Sequence, residues 1–290
     1  MSKIIDFNSG NLFDKVYEHL ALPESTLLGT RITKKMILDN NDLSSSEKKL
    51  VNDVIHSVEW LNTLKPETLN IPTYVSETVE YIEVAVLKVI LKADTTNSGK
   101  LKSTAKLFHT LIPYPVILLF ELNGELAISL ADKRINQADC SKLVIEFYYN
   151  TQWFKIGFLK VNEKEFLNDF SLKNVSSVNY YELYQDFIAK LIALETSYIS
   201  NGYRKNGCTN YERRSLQANN IDAIDQLLFT EMSNEEKTRL LKQLASLEGE
   251  LMNIRNKLRK ELHMNEKMRL NIRAKKVKQA ISQVTSQFVK

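Results

Sequence analysis

Hydrophobic residues repeat most regularly in the last quarter of the chain. Between residues 233 and 288 there is no proline and one glycine, and Ser233 with Glu236 forms a capping-box sequence that predicts where a helix begins. Apolar residues recur there at alternating spacings of four and three, at Leu240, Leu244, Leu247, Leu251, Ile254 and Leu258. This spacing is typical of a coiled coil. The pattern therefore predicts a long coiled-coil-type helix over 233–290, with these six residues as its oligomer seam.

The apolar pattern changes phase after Leu258. Glu261 and Asn265 occupy the next two seam positions, and Met268 and Ile272 follow. A second apolar row runs in a different phase through Leu270, Ala274, Val277, Ile281, Val284 and Phe288. Such a break locally unwinds a coiled coil or divides it into two packing faces. A continuous helix would be roughly 80 Å long at 1.5 Å per residue, so folding back on the chain requires a bend at the break.

The preceding residues alternate between helical and strand patterns. Helices are predicted at 11–21, 44–61 and 100–111, and strands at 79–91, 116–122, 125–130 and 143–149. Asn123-Gly124 is a strong hairpin-turn signal between two of the strands. This order predicts an α+β or α/β mixed-sheet domain over 1–160. A helical connector is predicted over 161–232, with helices at 180–194 and 221–229 and a polar loop at 201–208.

Composition narrows the class of protein. Hydrophobic residues make up 43% and charged residues 26% of the chain, which is ordinary for a soluble globular protein. The sequence contains no run of eighteen apolar residues, so it predicts no membrane span. The N-terminal residues lack the apolar block of a signal peptide. Cys140 and Cys208 stand alone, without the spacing of a disulfide framework or a zinc site. We therefore expect a cytoplasmic protein.

The positive charge is confined to the end of the chain. Residues 251–290 contain eleven Lys or Arg against two Glu, whereas residues 1–250 sum to −5. This asymmetry favours contact with a phosphate backbone or an acidic protein surface, and the alternative is an ordinary solvated helix face. The residues predicted to contact nucleic acid are Arg255, Lys257, Arg259, Lys260, Arg269, Arg273, Lys275, Lys276 and Lys278.

The common catalytic motifs are missing from the sequence. It has no GxxxxGK[ST], GxGxxG, HExxH or GxSxG, and its four histidines are scattered, so the sequence predicts no cofactor and no metal site. A divergent metal-dependent nuclease is the enzymatic alternative, because carboxylates and a lysine on adjacent strands can hold a metal and assist an attacking water. Its weak candidates are Glu80, Glu83, Asp132 and Lys133, which lack the Glu-x-Lys spacing of restriction-type nucleases.

Several longer motifs resemble one bacterial family, DUF4391, a domain of unknown function. They are LPEST at 22–26, RITKK at 31–35, EWL at 59–61, KPETLNIP at 65–72, IPYP at 112–115, KRINQAD at 133–139 and the helical stretch at 257–271. The resemblance covers most of the chain except 155–230. Members are often encoded beside helicases and DNA methyltransferases, in loci that look like restriction or phage-defence islands, and no catalytic residue is established for them.

The resemblance implies an accessory subunit of a DNA-processing system. On this hypothesis the sheet domain docks a helicase or a DNA methyltransferase, and the long helix associates with itself or contacts DNA. The third hypothesis is a purely structural coiled-coil oligomer that binds no nucleic acid.

Overall fold

The chain forms two compact units. The computed structural model describes residues 7, 10–39, 43–93, 98–139, 143–200, 202–203 and 232–288. The units are Met1–Leu191, here called the sheet unit, and Ile192–Lys290, here called the hairpin unit. Residues 161–191, which the sequence pattern assigns to a connector, therefore belong to the sheet unit.

The sheet unit is built on a six-stranded mixed sheet. In spatial order the strands are β1 (Leu27–Ile32), β2 (Ile55–Leu64), β5 (Val84–Leu91), β6 (Val116–Leu122), β7 (Glu125–Ile135) and β8 (Leu143–Asn150). Neighbouring strands are antiparallel except β5 and β6, which are parallel. A separate ribbon pairs β3 (Tyr74–Val75) with β4 (Glu80–Tyr81). The sheet confirms the mixed α/β class predicted from the sequence.

Helices cover both faces of this sheet. The helices up to Ser200 are α1 (Leu12–His19), α2 (Lys34–Leu38), α3 (Ser45–Val54), α4 (Pro66–Leu69), α5 (Ser98–Leu111), α6 (Val161–Asp169) and α7 (Tyr180–Ser200). Single 3-10 turns lie at Glu24–Thr26 and Leu172–Asn174. The parallel pair β5–β6 needs a crossover connection, and α5 supplies it. At the β6–β7 turn, Asn123 and Gly124 have φ values of 52° and 80°, as a tight hairpin requires.

One apolar cluster joins α3 and α5 to the sheet. Val51 of α3 and Phe108 of α5 share it with Leu87 and Leu118 of the two parallel strands. On the other face, Lys88 lies between Leu87 and Val89 in sequence, and its ammonium stands 3.7 Å from the ring centre of Phe13 in α1. Because consecutive side chains of β5 point to opposite faces of the sheet, α3 and α5 lie on one face and α1 lies on the other.

The predicted helix over 44–61 is wrong beyond Val54. Ser44 and Glu47 form the capping box that begins α3, but Ile55 begins β2, which pairs with β1 on one side and β5 on the other. Val58 and Leu61 are both buried although they lie three residues apart, a spacing that mimics a helix. A register shift between Trp60 and Asn62 accommodates it, because a β-bulge adds one residue to one strand.

A buried tyrosine of α7 links two strands where their ladder ends. The Tyr184 hydroxyl donates to the Val116 carbonyl at 2.8 Å and accepts from the Ala131 amide at 3.1 Å. The β6–β7 ladder ends at the pair Leu118 and Ser129, two residues short of these groups. The hydroxyl thus replaces backbone partners inside the core.

Tyr184→Phe is expected to destabilise the sheet unit by about 2 kcal/mol, because it leaves a buried amide and a buried carbonyl without this partner. Urea unfolding followed by tryptophan fluorescence measures the change, since both tryptophans, Trp60 and Trp153, lie in the sheet unit. Tyr74→Phe is the matched control, because Tyr74 is 37% exposed. A Tyr184→Phe effect no larger than that of the control would contradict this role for the hydroxyl.

The hairpin unit contains two paired helices instead of the single long helix predicted from the sequence. They are α8 (Asn234–Lys260), which begins at its N-cap Ser233 as predicted, and α9 (Met264–Gln287). Leu251 and Ile254 of α8 pack against Ala274 and Val277 of α9, with Leu247, Leu258, Leu270 and Ile281 at the edges of the cluster. The two apolar rows read from the sequence are thus two packing faces that meet each other, and the turn falls at the phase break.

Candidate nucleic-acid interface

A three-residue turn reverses the chain between α8 and α9. At Glu261 the backbone leaves the helix with φ −74° and ψ 137°. The Glu261 carboxylate accepts hydrogen bonds from the amides of His263 and Leu262, each at 2.9 Å, and these bonds lower the pKa of Glu261. A connection this short forces the helices to run antiparallel. The end of α8 and the start of α9 therefore lie side by side.

This arrangement concentrates the basic residues at the turn end of the hairpin. Between Arg255 and Lys278 the sequence has ten Lys or Arg and two Glu. Because the chain reverses inside this stretch, the charges lie on two adjacent helices instead of along one extended rod. All nine residues predicted to contact nucleic acid are exposed in the structure.

Most of these cations are not engaged in ion pairs. Arg269 pairs with Glu266 at 3.5 Å, and Arg273 pairs with Glu250 at 2.7 Å. The other seven predicted contacts make no ion pair with any residue that the structure describes. Their side chains are thus available to phosphate oxygens or to carboxylates of a partner.

Four of the cations share one side of the hairpin. Arg269, Arg273 and Lys276 are spaced four and three residues apart, so they lie on one side of α9. The Glu250–Arg273 pair joins that side to α8, and Lys257 stands seven residues after Glu250 on the same side of α8. We call Lys257, Arg269, Arg273 and Lys276 the basic face.

The predicted oligomer seam is used inside the chain. Leu247, Leu251, Ile254 and Leu258 belong to the apolar cluster between α8 and α9. Leu240 is also buried, and Leu244 is half-buried. The expectation that the seam faces a second chain is corrected for the four clustered residues, because the turn brings a complementary apolar row of the same chain against them.

The four nuclease candidates do not form the expected constellation. The Asp132 charge acts on the buried side chains of Tyr81 and Tyr184, which places this carboxylate on the α7 side of β7. Its neighbour Lys133 points to the α5 side, where its ammonium donates to the carbonyls of Ile112 and Tyr114 at 2.5 and 2.6 Å. Consecutive strand residues face opposite sides of a sheet, which separates this carboxylate from this lysine.

The remaining two carboxylates also lack a shared site with Lys133. Glu80 is exposed on β4, next to Tyr81, whose buried side chain faces α7. Glu83 forms an ion pair with Lys65 at 3.4 Å. Across the described residues, no group of three or more His, Cys, Asp or Glu could hold a metal ion. The same part of the chain contains no helix long and apolar enough to cross a membrane.

Lys133 instead belongs to a buried polar cluster with His109 and Ser129. His109 Nε2 lies 3.0 Å from the Ser129 hydroxyl, and all three side chains are buried. Burial lowers the pKa of Lys133 to about 7, and burial together with the Lys133 charge holds the pKa of His109 well below its usual range. The strand predicted from the sequence ends at residue 130, so the pattern did not place Lys133 at an inward position of a strand.

One exposed feature was not predicted from the sequence. Met264, Met268 and Ile272 are 73, 59 and 55% exposed on α9. With Lys267, Asn271 and Lys275 they line a shallow groove of about 450 Å³. Met268 and Ile272 were expected to continue the seam, and the turn places them instead on the outer surface of the hairpin. We call these six residues the methionine groove.

Comparison with known proteins identifies the chain only at the level of family. A family model described as "Domain of unknown function (DUF4391)" matches residues 20–281. No curated protein and no solved structure shows a significant match.

Proposed function

This chain belongs to the DUF4391 family, and we propose that it is a non-enzymatic accessory protein of a bacterial DNA-processing or phage-defence system whose hairpin unit binds DNA. The observation that carries the proposal is the density of exposed cations at the turn end. Ten Lys or Arg against two Glu lie between Arg255 and Lys278, a stretch folded into two adjacent helices. The contact would be made through phosphate oxygens and would be largely independent of sequence.

The geometry supports a phosphate contact better than a solvated helix face. Side chains on the basic face extend over about two turns of α9, about 10 Å at 1.5 Å per residue. Phosphates recur every 3.4 Å or so along one strand of DNA, so several cations can engage one strand at once. Two residues of the basic face, Arg269 and Arg273, form ion pairs, and the carboxylates of these pairs are exposed or half-buried. Exchanging such a carboxylate for a phosphate therefore costs little free energy of desolvation.

The accessory role rests on the family resemblance and on the lack of familiar catalytic motifs. In the sheet unit, the carboxylates and the lysine weighed for a nuclease are held on different faces or in ion pairs. We therefore assign to the sheet unit the docking of a larger helicase or methyltransferase and to the hairpin unit the contact with DNA.

Reversing two charges of the basic face is expected to weaken DNA binding at least about tenfold at low salt. The variant is Lys257→Glu with Lys276→Glu, because both side chains are exposed and neither makes an ion pair with a described residue. Anisotropy of a labelled 20-base-pair duplex, titrated with the full chain at several salt concentrations, measures the affinity. If each lysine contacts one phosphate, the slope of log affinity against log salt falls by about 1.8.

The control carries the same change in net charge at a different place. Lys48→Glu with Lys102→Glu alters two exposed lysines of α3 and α5 in the sheet unit. It should bind the duplex nearly as the natural chain does. Equal losses in both double variants would mean that net charge alone governs binding, and unchanged binding in the hairpin variant would refute the proposed interface.

A further inference from the structure

The outer surface of α9 carries an apolar stripe that the hairpin does not use. Met264, Met268 and Ile272 lie four residues apart, so they form one row along the helix. Leu270, Ala274 and Val277, which pack on α8, occupy a different side of α9. The three residues of the row are each more than half exposed. Large apolar side chains exposed together mark an interaction site more often than isolated ones do.

Cations border this stripe on both sides. Lys267 and Lys275 line the groove with it. Arg269 and Arg273 come one residue after Met268 and Ile272, which places them on the other side of the stripe, and Lys276 continues the row four residues after Ile272. From Met264 to Gln287 the only acidic residue is Glu266, which pairs with Arg269. A partner that covers the stripe must therefore be apolar along its centre and acidic at its edges.

We propose that the methionine groove binds an acidic amphipathic helix of a partner protein. The inference rests on the proposed accessory role and adds to it a second protein-docking surface, on the hairpin unit, besides the one assigned to the sheet unit. The stripe spans nine residues, about 12 Å or two helical turns, which matches the anchors that an amphipathic helix presents from one face. Methionine side chains are flexible and polarizable, so they adapt to the apolar side chains of such a helix.

The observations favour this occupant over three others. DNA would satisfy the lysines but would leave the methionines against polar phosphate groups. A second copy, docked groove to groove, would bring Lys267 and Lys275 against the same lysines of its twin, and like charges in an interface oppose association. A membrane surface calls for a broad apolar face, and the broad face of α9 is packed against α8.

The test uses a synthetic probe with the full chain. The probe is a labelled helical peptide with leucines at heptad spacing and glutamates elsewhere, and its scrambled isomer has the same charge without an apolar face. We expect the natural chain to bind the helical peptide at least tenfold more tightly than the isomer, by anisotropy near physiological salt. Met268→Ser with Ile272→Ser should remove at least tenfold of that affinity.

A matched variant separates the groove from exposed methionine in general. Met252→Ser changes a methionine of α8 that is 64% exposed and lies outside the groove, and it should leave peptide affinity unchanged. The groove variant should also bind the DNA duplex as the natural chain does, so that failure of this inference is distinguishable from failure of the DNA-binding proposal.

Four results would overturn the inference. They are equal binding of the two peptides, an unchanged affinity in the groove variant, methionine-dependent binding to vesicles of anionic phospholipid without peptide binding, and a dimer in light scattering that the groove variant abolishes. The first two would reduce the contact to charge alone. The last two would assign the stripe to a membrane surface and to a second copy.

Discussion

Lys190→Met is expected to destabilise the sheet unit by about 3–5 kcal/mol, because it leaves a buried carboxylate without its cation. In the natural chain the Lys190 ammonium of α7 lies 2.9 Å from Asp169 at the end of α6, and both side chains are only 6% exposed. Asp186 lies one turn before Lys190 on α7. Burial raises the pKa of Asp186, and the charge of Lys190 opposes that increase. The substitution therefore removes a cation that acts on two carboxylates.

The double variant Asp169→Leu with Lys190→Met separates charge from packing. Replacing both members of a buried ion pair by apolar residues is often close to neutral, so we expect it to recover most of the lost stability. Urea unfolding with tryptophan fluorescence measures both variants. A double variant as unstable as the single one would show that packing around α6 and α7, and not the isolated carboxylate, sets the cost.

Raising the pH from 7 to 9 is expected to stabilise the sheet unit by about 2 kcal/mol through Lys133. Burial lowers the pKa of Lys133 from its usual 10.5 to about 7 in the folded chain. Between these two values the unfolded chain holds a proton that the folded chain has released, so the free energy of unfolding rises with pH. The loss of stability caused by burying the charged Lys133 is complete below pH 7 and disappears as the pH approaches 10.5.

Lys133→Met should abolish this rise while the remaining pH dependence stays. Lys102→Met is the control, because Lys102 is exposed on α5, and it should keep the rise of the natural chain. Urea unfolding at pH 7, 8 and 9 gives the slopes. His109 has completed its titration below this range, since its pKa lies well below 6.5. A rise that persists in Lys133→Met would assign the effect to another group.

Local signals in the sequence were sufficient where one short stretch determines the outcome. Asn123-Gly124 predicted its hairpin because few residues tolerate the left-handed backbone of a tight turn. Ser44 and Ser233 predicted two helix starts because their side chains accept hydrogen bonds from the first turn. The apolar run 79–91 predicted a buried strand, and β5 forms over its part from Val84 to Leu91, whereas Glu80 and Tyr81 form β4 of the separate ribbon; the helix and strand that follow were found near their predicted bounds.

The sequence-based predictions were wrong where two different structures satisfy the same pattern. Val58 and Leu61 fit a helical face, and they also fit a strand that contains a bulge. The seam residues fit a dimer, and they also fit a partner row on the same chain. Neither pattern states which neighbour completes the packing, because hydrophobic burial depends on area removed from water and not on the identity of the covering surface.

For the candidate interface, too, some features follow from the sequence and others only from the tertiary structure. The sequence by itself determined the charge asymmetry, the positions of the nine cations and the two apolar rows of the last quarter. Only the tertiary structure decided that the chain reverses at Glu261, Leu262 and His263, and therefore that the cations gather on two helices while Met268 and Ile272 turn outward. The physical reason is that composition and helical periodicity are local, whereas a turn in a helix-compatible stretch forms because two distant apolar rows bury each other.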